Sequence, residues 1–103
     1  MKFRGIIRKL DELGRIVMPK EYRKEINAEN GAEVEMTLYE DGIIIKKAHE
    51  GTLITRKIDN LGRLVISKKI RKVLEIEECG ELEMFLLVED AIYVRKVVRN
   101  EGL

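Results

Sequence analysis

The residues of this chain best suited to chemistry are basic side chains that occur twice in the same order. The corresponding arginines of the two halves are Arg8, Arg15 and Arg23, and then Arg56, Arg63 and Arg71. A guanidinium group holds a phosphate, or the O6 and N7 edge of guanine, with two parallel hydrogen bonds. Nearby lysines act as point charges on a phosphate backbone. These residue types therefore predict contacts with nucleic acid.

The other reactive residue types are too few or too scattered for catalysis or metal binding. The chain has one Cys and one His, which exclude an internal disulfide and a zinc site built from those residues. No nucleophile is paired with a base, and the carboxylates are dispersed. Asp11 and Asp59 belong to Asp-x-x-Gly segments and are expected to cap turns. The sequence predicts no catalytic residue, metal, cofactor or small-molecule substrate, and so not an enzyme.

The near-neutral total charge hides alternating blocks. Although 20 Lys and Arg stand against 19 Asp and Glu, residues 1–24 carry a net charge of about +5 and residues 25–50 about −5. The pattern then recurs, with about +6 over residues 51–74 and about −5 over residues 75–103. Each half is therefore expected to present one basic surface. Acidic segments of this kind are usually just soluble surface, and a sharper hypothesis is that they face away from DNA and limit nonspecific adhesion.

An internal comparison shows that the two halves are a repeat. Residues 8–17 read RKLDELGRIV, and residues 56–65 read RKIDNLGRLV. Identity is about half over roughly thirty aligned residues, which a duplication explains. One extra residue near Val88 in the second copy is expected to fall in a turn. We divide the chain into repeats 1–49 and 50–103, which together are expected to form one barrel domain.

Each repeat is predicted to contain two strands, a short helix and two further strands. The strands are expected at residues 5–10, 15–18, 33–39 and 43–47, and again at 53–58, 63–66, 82–88 and 92–97. The first two strands flank the Asp-x-x-Gly turn, a pattern typical of a hairpin. The helices are expected to start at Pro19 and at Ser67, since both residue types favour helix starts.

Helical periodicity predicts which side chains of the two helices face the core. Tyr22 and Ile26 share one face of the first helix, and Ile70, Val73 and Leu74 share the equivalent face of the second. A single repeat buries little apolar surface, so each is expected to complete its core against the other. The predicted fold is mainly β with short helices, as one closed or nearly closed barrel that also removes exposed sheet edges.

The sequence also indicates where the protein works. No apolar run reaches the roughly 20 residues that span a bilayer. Charges interrupt the N-terminal residues before the apolar segment of a secretory signal can form. We therefore expect a soluble protein of the reducing cytoplasm with no membrane partner.

One stretch of the first repeat resembles a known DNA-binding family. Residues 5–24 read GIIRKLDELGRIVMPKEYRK, which is similar to the N-terminal DNA-binding domain of the AbrB and SpoVT family of bacterial transition-state and sporulation regulators. The second repeat resembles it more weakly, with Ser67 in place of the usual proline. In that family two copies, normally from two chains, interleave hairpins. The resemblance implies a swapped-hairpin AbrB-like β-barrel formed by two tandem β-β-α-β-β units.

The resemblance also implies which residues contact DNA. The family's arginines fall on Arg8, Arg15 and Arg23, with Lys24 at a position that is often arginine. Together with their equivalents and neighbouring lysines, the candidate DNA-binding residues are Arg8, Lys9, Arg15, Lys20, Arg23, Lys24, Arg56, Lys57, Arg63, Lys68, Arg71 and Lys72. The implied function is a sequence-preferring double-stranded DNA-binding transcriptional regulator whose two basic surfaces address two half-sites.

A second function is open on the same barrel. MazE-like and VapB-like antitoxins share it, so an antitoxin-type protein-interaction module that binds a toxin and autoregulates its operon is the alternative. Those antitoxins use a long C-terminal extension, whereas about six residues follow the last predicted strand here, which favours the regulator. The tandem arrangement also resembles the MraZ family, without the helical segments expected there. Both an intrachain pseudo-dimer and a homodimer that exchanges hairpins are compatible with the sequence.

Overall fold

Both repeats fold in the predicted order β-β-α-β-β. The computed structural model describes residues 5–88 and 90–97; the residues that follow the last strand, which entered the comparison with antitoxins, lie outside this range. The first repeat contains β1 (Ile6–Lys9), β2 (Arg15–Val17), α1 (Lys20–Glu25), β3 (Glu33–Tyr39) and β4 (Gly42–Lys47). The second contains β5 (Arg56–Lys57), β6 (Arg63–Val65), α2 (Lys68–Val73), β7 (Glu81–Leu87) and β8 (Ala91–Lys96).

The strands pair across the two repeats. A six-stranded antiparallel sheet has the order β1-β7-β8-β4-β3-β5, and a separate two-stranded ribbon is formed by β2 and β6. β1 of the first repeat pairs with β7 of the second, and β5 of the second pairs with β3 of the first. The mainly β fold class with exchanged hairpins is thus confirmed. The six-stranded sheet is an open ladder that ends at β1 and β5. The expectation that the barrel removes sheet edges is therefore wrong for these two strands, because β2 and β6 pair with each other and not with β1 and β5.

The expected local hairpin between the first two strands forms only its turn. The backbone N–H of Asp11 donates to the Arg15 carbonyl at 2.9 Å, which reverses the chain. Beyond the turn β2 pairs with β6 and not with β1. Pairing across the repeats places Ile16 opposite Leu64, and both side chains are fully buried. The ribbon therefore covers a core that neither repeat closes alone.

The pairing pattern relates the two repeats by an approximate twofold axis. Ile16 and Leu64, which occupy equivalent positions in the repeat, lie directly opposite each other in the ribbon. Ile44 and Tyr93, again equivalent, lie opposite each other where β4 meets β8. An axis through both pairs exchanges the β1–β7 ladder with the β5–β3 ladder. One chain thus reproduces the symmetry of a dimer.

The buried side chains form one cluster that both repeats supply. The first repeat contributes Leu10, Ile16, Met18, Ile26, Ala28, Val34, Ile43 and Ile45, and the second Ile58, Leu64, Ile66, Leu82, Met84, Ile92 and Val94. The helices add partly buried side chains, among them Tyr22, Ile70 and Leu74, as periodicity predicts. Val73 was expected to face inward but is 59% exposed, because α2 ends there and the core contact passes to Leu74 and Ile76.

Strand β5 is shorter than predicted. It covers Arg56–Lys57, whereas the equivalent β1 has four residues, and Leu53 and Ile54 are 97% and 73% exposed. β4 ends beside Val34 near the start of β3, and β5 runs back toward that same end. The connection of residues 48–55 must therefore travel along β3 before pairing can begin. Pairing of β5 with β3 therefore begins only at Arg56.

The two helices are short. Each has six residues, and within the described ranges neither is long and apolar enough to cross a membrane.

Candidate nucleic-acid interface

Each Asp-x-x-Gly turn positions one arginine of the candidate site. Asp11 Oδ1 accepts the backbone N–H groups of Leu13 and Arg15, both at 2.9 Å. Asp11 Oδ2 accepts Arg15 Nε at 2.6 Å. The prediction that this aspartate caps its turn is confirmed. It also binds the side chain that the sequence singled out for DNA contact.

The turn of the second repeat has the same hydrogen bonds. Asp59 Oδ1 accepts Leu61 N and Arg63 N at 2.9 and 2.8 Å, and Oδ2 accepts Arg63 Nε at 2.7 Å. The two ion-paired arginines remain partly accessible, with 27% and 29% of their side chains exposed. The hydrogen bonds within the described residues use only Nε, so the Nη groups of both arginines remain available to a ligand.

These hydrogen bonds lower the pKa of both aspartates. The backbone N–H of Arg15 is the largest cause for Asp11, with its guanidinium a further cause, and the pKa of that carboxyl falls below its usual 3.8. The backbone and side chain of Arg63 do the same to the pKa of Asp59. Both carboxylates are therefore ionised at neutral pH, and each offsets the charge of the arginine that it holds.

The ribbon presents both turn arginines on one face. Because side chains alternate along a strand, burial of Ile16 and Leu64 directs the flanking positions outward. Arg15 lies opposite Val65, and Arg63 lies opposite Val17. The two arginines are therefore diagonal neighbours on the same outer face, with Cα atoms roughly 7 to 8 Å apart. The approximate twofold axis passes between Ile16 and Leu64, and it relates Arg15 to Arg63. The two arginines are close because each is next in sequence to a residue at that axis.

Each helix sends an arginine to the turn of the other repeat. Arg23 Nε donates to the Met18 carbonyl at 3.0 Å, and its guanidinium packs on Gly62, where an added Cβ would lie 3.0 Å from Cζ. Arg71 Nε donates to the Ile66 carbonyl at 2.9 Å and packs on Gly14, with 2.8 Å to Cζ. Helix and turn from different repeats thus form each end of the ribbon.

The two turn glycines are needed for this contact. Gly14 and Gly62 have φ of 76° and 77°, positive values that side-chain-bearing residues rarely adopt. Any Cβ at either position would also displace a guanidinium. The turn conformation and the arginine position therefore depend on the same glycine.

Two asparagines that the sequence analysis did not single out complete one end of the ribbon. Asn30 accepts a hydrogen bond from Arg23 Nη1 through Oδ1, and its Nδ2 donates to the Asn60 carbonyl at 2.9 Å. Asn30 therefore links α1 of the first repeat to the turn of the second. The only signal in the sequence was position: Asn60 lies inside an Asp-x-x-Gly turn, and Asn30 lies in the loop after the helix.

The candidate lysines fall into two groups. Lys20, Lys24, Lys68 and Lys72 are exposed on the two helices that flank the ribbon. Lys9 and Lys57 lie on β1 and β5, where their cross-strand partners are Glu81 and Glu33. These two acids were expected to lie away from the DNA-binding residues, but the sheet places them opposite two of the predicted lysines.

Arg8 and Arg56 lie outside the cluster formed by the ribbon and helices. They occupy the outer strands β1 and β5, and their described hydrogen bonds run to the neighbouring carbonyls of Ile7 and Thr55. The structure thus brings Arg15, Arg23, Arg63 and Arg71 together and leaves Arg8 and Arg56 on the two edges of the sheet. Across the described residues, no group of His, Cys, Asp and Glu is arranged to hold a metal ion.

Comparison with known proteins shows that the first repeat is similar to bacterial regulators and to an antitoxin family. Residues 7–52 match the family described as antidote-toxin recognition MazE, bacterial antitoxin. The same portion of the chain is similar to three proteins of Bacillus subtilis. Stage V sporulation protein T is 41% identical over 49 residues, which are 48% of this chain and 28% of that protein.

The other two relatives are named as transition-state regulators. The putative transition state regulator Abh is 47% identical over 47 residues, covering 46% of this chain and 51% of that protein. The transition state regulatory protein AbrB is 43% identical over 47 residues, covering 46% and 49%. The matched segment thus spans about a quarter to a half of each relative's length. The predicted resemblance of the first repeat to the AbrB and SpoVT family is confirmed, and none of these three relatives is named as an enzyme.

Nearly the whole chain shares its fold with the solution structure of PHS018 from Pyrococcus horikoshii. The TM-score is 0.50, with 94% of this chain and 96% of that chain covered at 19% sequence identity. At that identity the likeness concerns the fold alone.

Proposed function

We propose that this protein is a sequence-preferring, double-stranded DNA-binding transcriptional regulator that acts in the cytoplasm through a basic face built from both repeats. The β2–β6 ribbon is the centre of that face, and the α1 and α2 helices flank it. One chain supplies both halves of the face, so we propose the intrachain pseudo-dimer as the DNA-binding unit.

The observation that carries the proposal is the pair of arginines on the outer face of the ribbon. The major groove of B-DNA admits a two-stranded β-ribbon as well as a helix. Arg15 and Arg63 project from the ribbon with free Nη groups, the part of arginine that recognises guanine O6 and N7. Because each arginine is held at Nε by an aspartate, less side-chain freedom is lost on binding.

The arginines and the lysines of the basic face have different roles in binding DNA. Asp11 and Asp59 offset the charges of Arg15 and Arg63, so these arginines contribute hydrogen bonds more than long-range attraction. The exposed helix lysines have no such carboxylate in a described ion pair, and they supply the attraction to phosphates. Contacts to about six to ten phosphates predict an affinity that falls about 10³- to 10⁵-fold between 50 and 200 mM salt.

The test is a selection of bound sequences from random duplexes, followed by gel-shift titration of Arg15→Ala and Arg63→Ala. Each substitution is expected to cost about 1 to 3 kcal/mol of binding free energy and to change the preferred sequence, as loss of a base contact does. Arg95→Ala is the matched control, because Arg95 lies on β8 with its guanidinium over the Phe85 ring, 5.2 Å from the ring centroid. A shallow salt dependence, or equal losses in all three variants, would contradict the proposal.

A second candidate function is the antitoxin, which the match of residues 7–52 to the MazE family favours. An antitoxin forms a stable complex with its toxin, so a ribonuclease should copurify with the protein expressed together with its neighbouring genes. Recovery of such a complex would rank this function first, and DNA binding would then serve autoregulation.

A further inference from the structure

The two ends of the basic face have the same plan but different chemistry. The Asn end consists of α1 and the 59–63 turn, with Arg23, Asn30 and Asn60. The Glu end consists of α2 and the 11–15 turn, with Arg71. In the repeat alignment, Glu78 and Glu12 replace Asn30 and Asn60 at the Glu end.

At the Asn end an amide fixes the helix arginine without cancelling its charge. Asn30 accepts from Arg23 Nη1 and donates to the backbone of the opposite turn, while Arg23 Nε is bound to a carbonyl. Arg23 is therefore held at two nitrogens by neutral groups. It keeps its full positive charge and presents Nη2 in a defined position, which is what recognition of a base edge requires.

At the Glu end the corresponding arginine shares a surface cavity with two carboxylates. Glu12 and Glu78 line the same surface cavity as Arg71, together with Lys68 and Lys72. A carboxylate beside a guanidinium offsets its charge and repels the acceptor atoms of bases and phosphates. Recognition of a base edge by Arg71 is thus opposed by its neighbours.

The net charges of the two helices differ in the opposite direction, since the helix of the Glu end is the more basic one. α2 contains four basic residues and no acidic one, whereas α1 contains three basic and two acidic residues, Glu21 and Glu25. The extra charge of α2 lies on lysines, which bind phosphates as point charges and carry no sequence information. The Glu end is therefore suited to holding the backbone of DNA, and the Asn end to reading its sequence.

From these contacts we infer that, beyond the contacts of Arg15 and Arg63 on the ribbon, the two ends of the face contribute unequally to recognition: Arg23 at the Asn end adds selection of the DNA sequence, and Arg71 and the lysines of the Glu end bind the duplex with little discrimination. This inference rests on the proposed DNA-binding function. The preferred site then consists of one constrained half-site and one loose half-site, and Asn30 is a positioning residue that acts through Arg23.

The experiment exchanges the two pairs of residues between the ends. Asn30→Glu with Asn60→Glu gives the Asn end the chemistry of the Glu end, and Glu12→Asn with Glu78→Asn is the reciprocal swap. Bound duplexes are selected from a random pool for wild type and both variants. The ratio of affinities for the selected and a scrambled duplex is then measured at one salt concentration.

The first swap is expected to lower that ratio at least about fivefold, the loss that follows from one base contact, and to loosen the constrained half-site. The reciprocal swap is expected to constrain the second half-site, so that the selected sequence becomes more palindromic. All four positions are at the surface, and thermal unfolding of each variant checks that the fold is kept.

Single variants separate position from charge. Asn30→Asp keeps an oxygen for Arg23 Nη1, but it adds a negative charge and loses the Nδ2 donor to the Asn60 carbonyl. Asn30→Ala removes both hydrogen bonds and adds no charge. Both are expected to reduce the ratio of affinities for the selected and the scrambled duplex, and Asn30→Asp, which also adds a negative charge beside Arg23, is expected to weaken binding to both duplexes more than Asn30→Ala does.

The possible failures can be told apart. A wild-type site with two equally constrained halves, or a first swap that leaves the affinity ratio unchanged, overturns the inference while DNA binding stands. Absence of binding by wild type to any duplex overturns the proposed function as well.

Discussion

Within each turn, one aspartate does two things at once. Asp11 shapes the chain by accepting two backbone N–H groups with one oxygen, and it orients Arg15 with the other. The same pattern at Asp59 gives the two repeats matching arginines. Turn geometry and presentation of the guanidinium therefore cannot be changed independently.

These hydrogen bonds make the stability of the turns depend on pH. The folded-state pKa of Asp11 and of Asp59 lies below the usual 3.8, so the folded chain binds fewer protons than the unfolded chain near that pH. The stabilisation is complete above the unfolded-state pKa and is lost as the pH falls through the folded-state pKa. The two turns are thus expected to weaken below about pH 4, as the carboxylates become protonated.

The cause of the pKa shift is testable with Arg15→Met, which removes the guanidinium and keeps the backbone N–H. Because that N–H is the largest cause, the pKa of Asp11 is expected to rise but to stay below 3.8. Carboxyl titration by NMR measures it, with Asp59 in the same sample as the unaffected reference. A return of the Asp11 pKa to its usual value would assign the shift to the guanidinium instead.

The two helices begin differently. Ser67 is the N-cap residue of α2 and its Oγ accepts Ile70 N at 3.2 Å, whereas Pro19 precedes α1 without a side-chain cap. Both residues have nearly the same φ, −56° and −55°, which suits the proline ring. A hydrogen bond in one repeat thus takes the place of a rigid ring in the other.

Ser67→Ala is therefore expected to lower the free energy of unfolding by about 1 kcal/mol, as loss of an N-cap does. Ser67→Pro is the matched control: it also removes the hydroxyl but restricts the unfolded chain at a compatible φ. Urea denaturation should give a smaller loss for Ser67→Pro than for Ser67→Ala. The reverse order would show that the ring does not fit in this repeat.

For single elements, the sequence predicted the bounds of those strands and helices that local residue patterns define. The bounds of β3 and the starts of both helices match the expectations, since strand alternation and the capping residues are local signals. The errors lie where a neighbouring segment interferes. β5 begins only at Arg56, after the connection of residues 48–55, and Val73 is exposed because α2 ends there.

In the molecule as a whole, neither repeat has a core of its own. Ile16 and Leu64, both fully buried, meet on the twofold axis, and the surrounding cluster draws on both halves. The six-stranded sheet and the β2–β6 ribbon each pair strands of different repeats. Loss of one repeat would therefore remove pairing partners from both. The two repeats are thus expected to unfold together.

Ile16→Ala should lower the free energy of unfolding by about 2 to 5 kcal/mol, the usual cost of a large-to-small substitution in a core. Leu13→Ala, at a side chain 67% exposed in the adjacent turn, should change it by no more than about 0.5 kcal/mol. Chemical denaturation followed by two probes, one in each repeat, is expected to give coincident transitions in both variants. Separate transitions would mean that each repeat is stable alone.

The sequence by itself determined the duplication, the Asp-x-x-Gly turns, the order of elements and the residue types of the candidate face. Each of these can be recognised in short stretches of residues: the close match between residues 8–17 and 56–65, the glycine of each Asp-x-x-Gly turn, and the alternation of apolar and polar side chains. Such features depend on the chain within a few residues, where conformational preferences act directly.

Only the tertiary structure decided which strands pair and which side chains meet. It placed Arg23 on Gly62, joined Asn30 to the Asn60 backbone, left Arg8 and Arg56 on the sheet edges, and set Lys9 and Lys57 opposite acids. Partners in exchanged strands are far apart in sequence. Their contacts follow from burying one shared core, which no local pattern encodes.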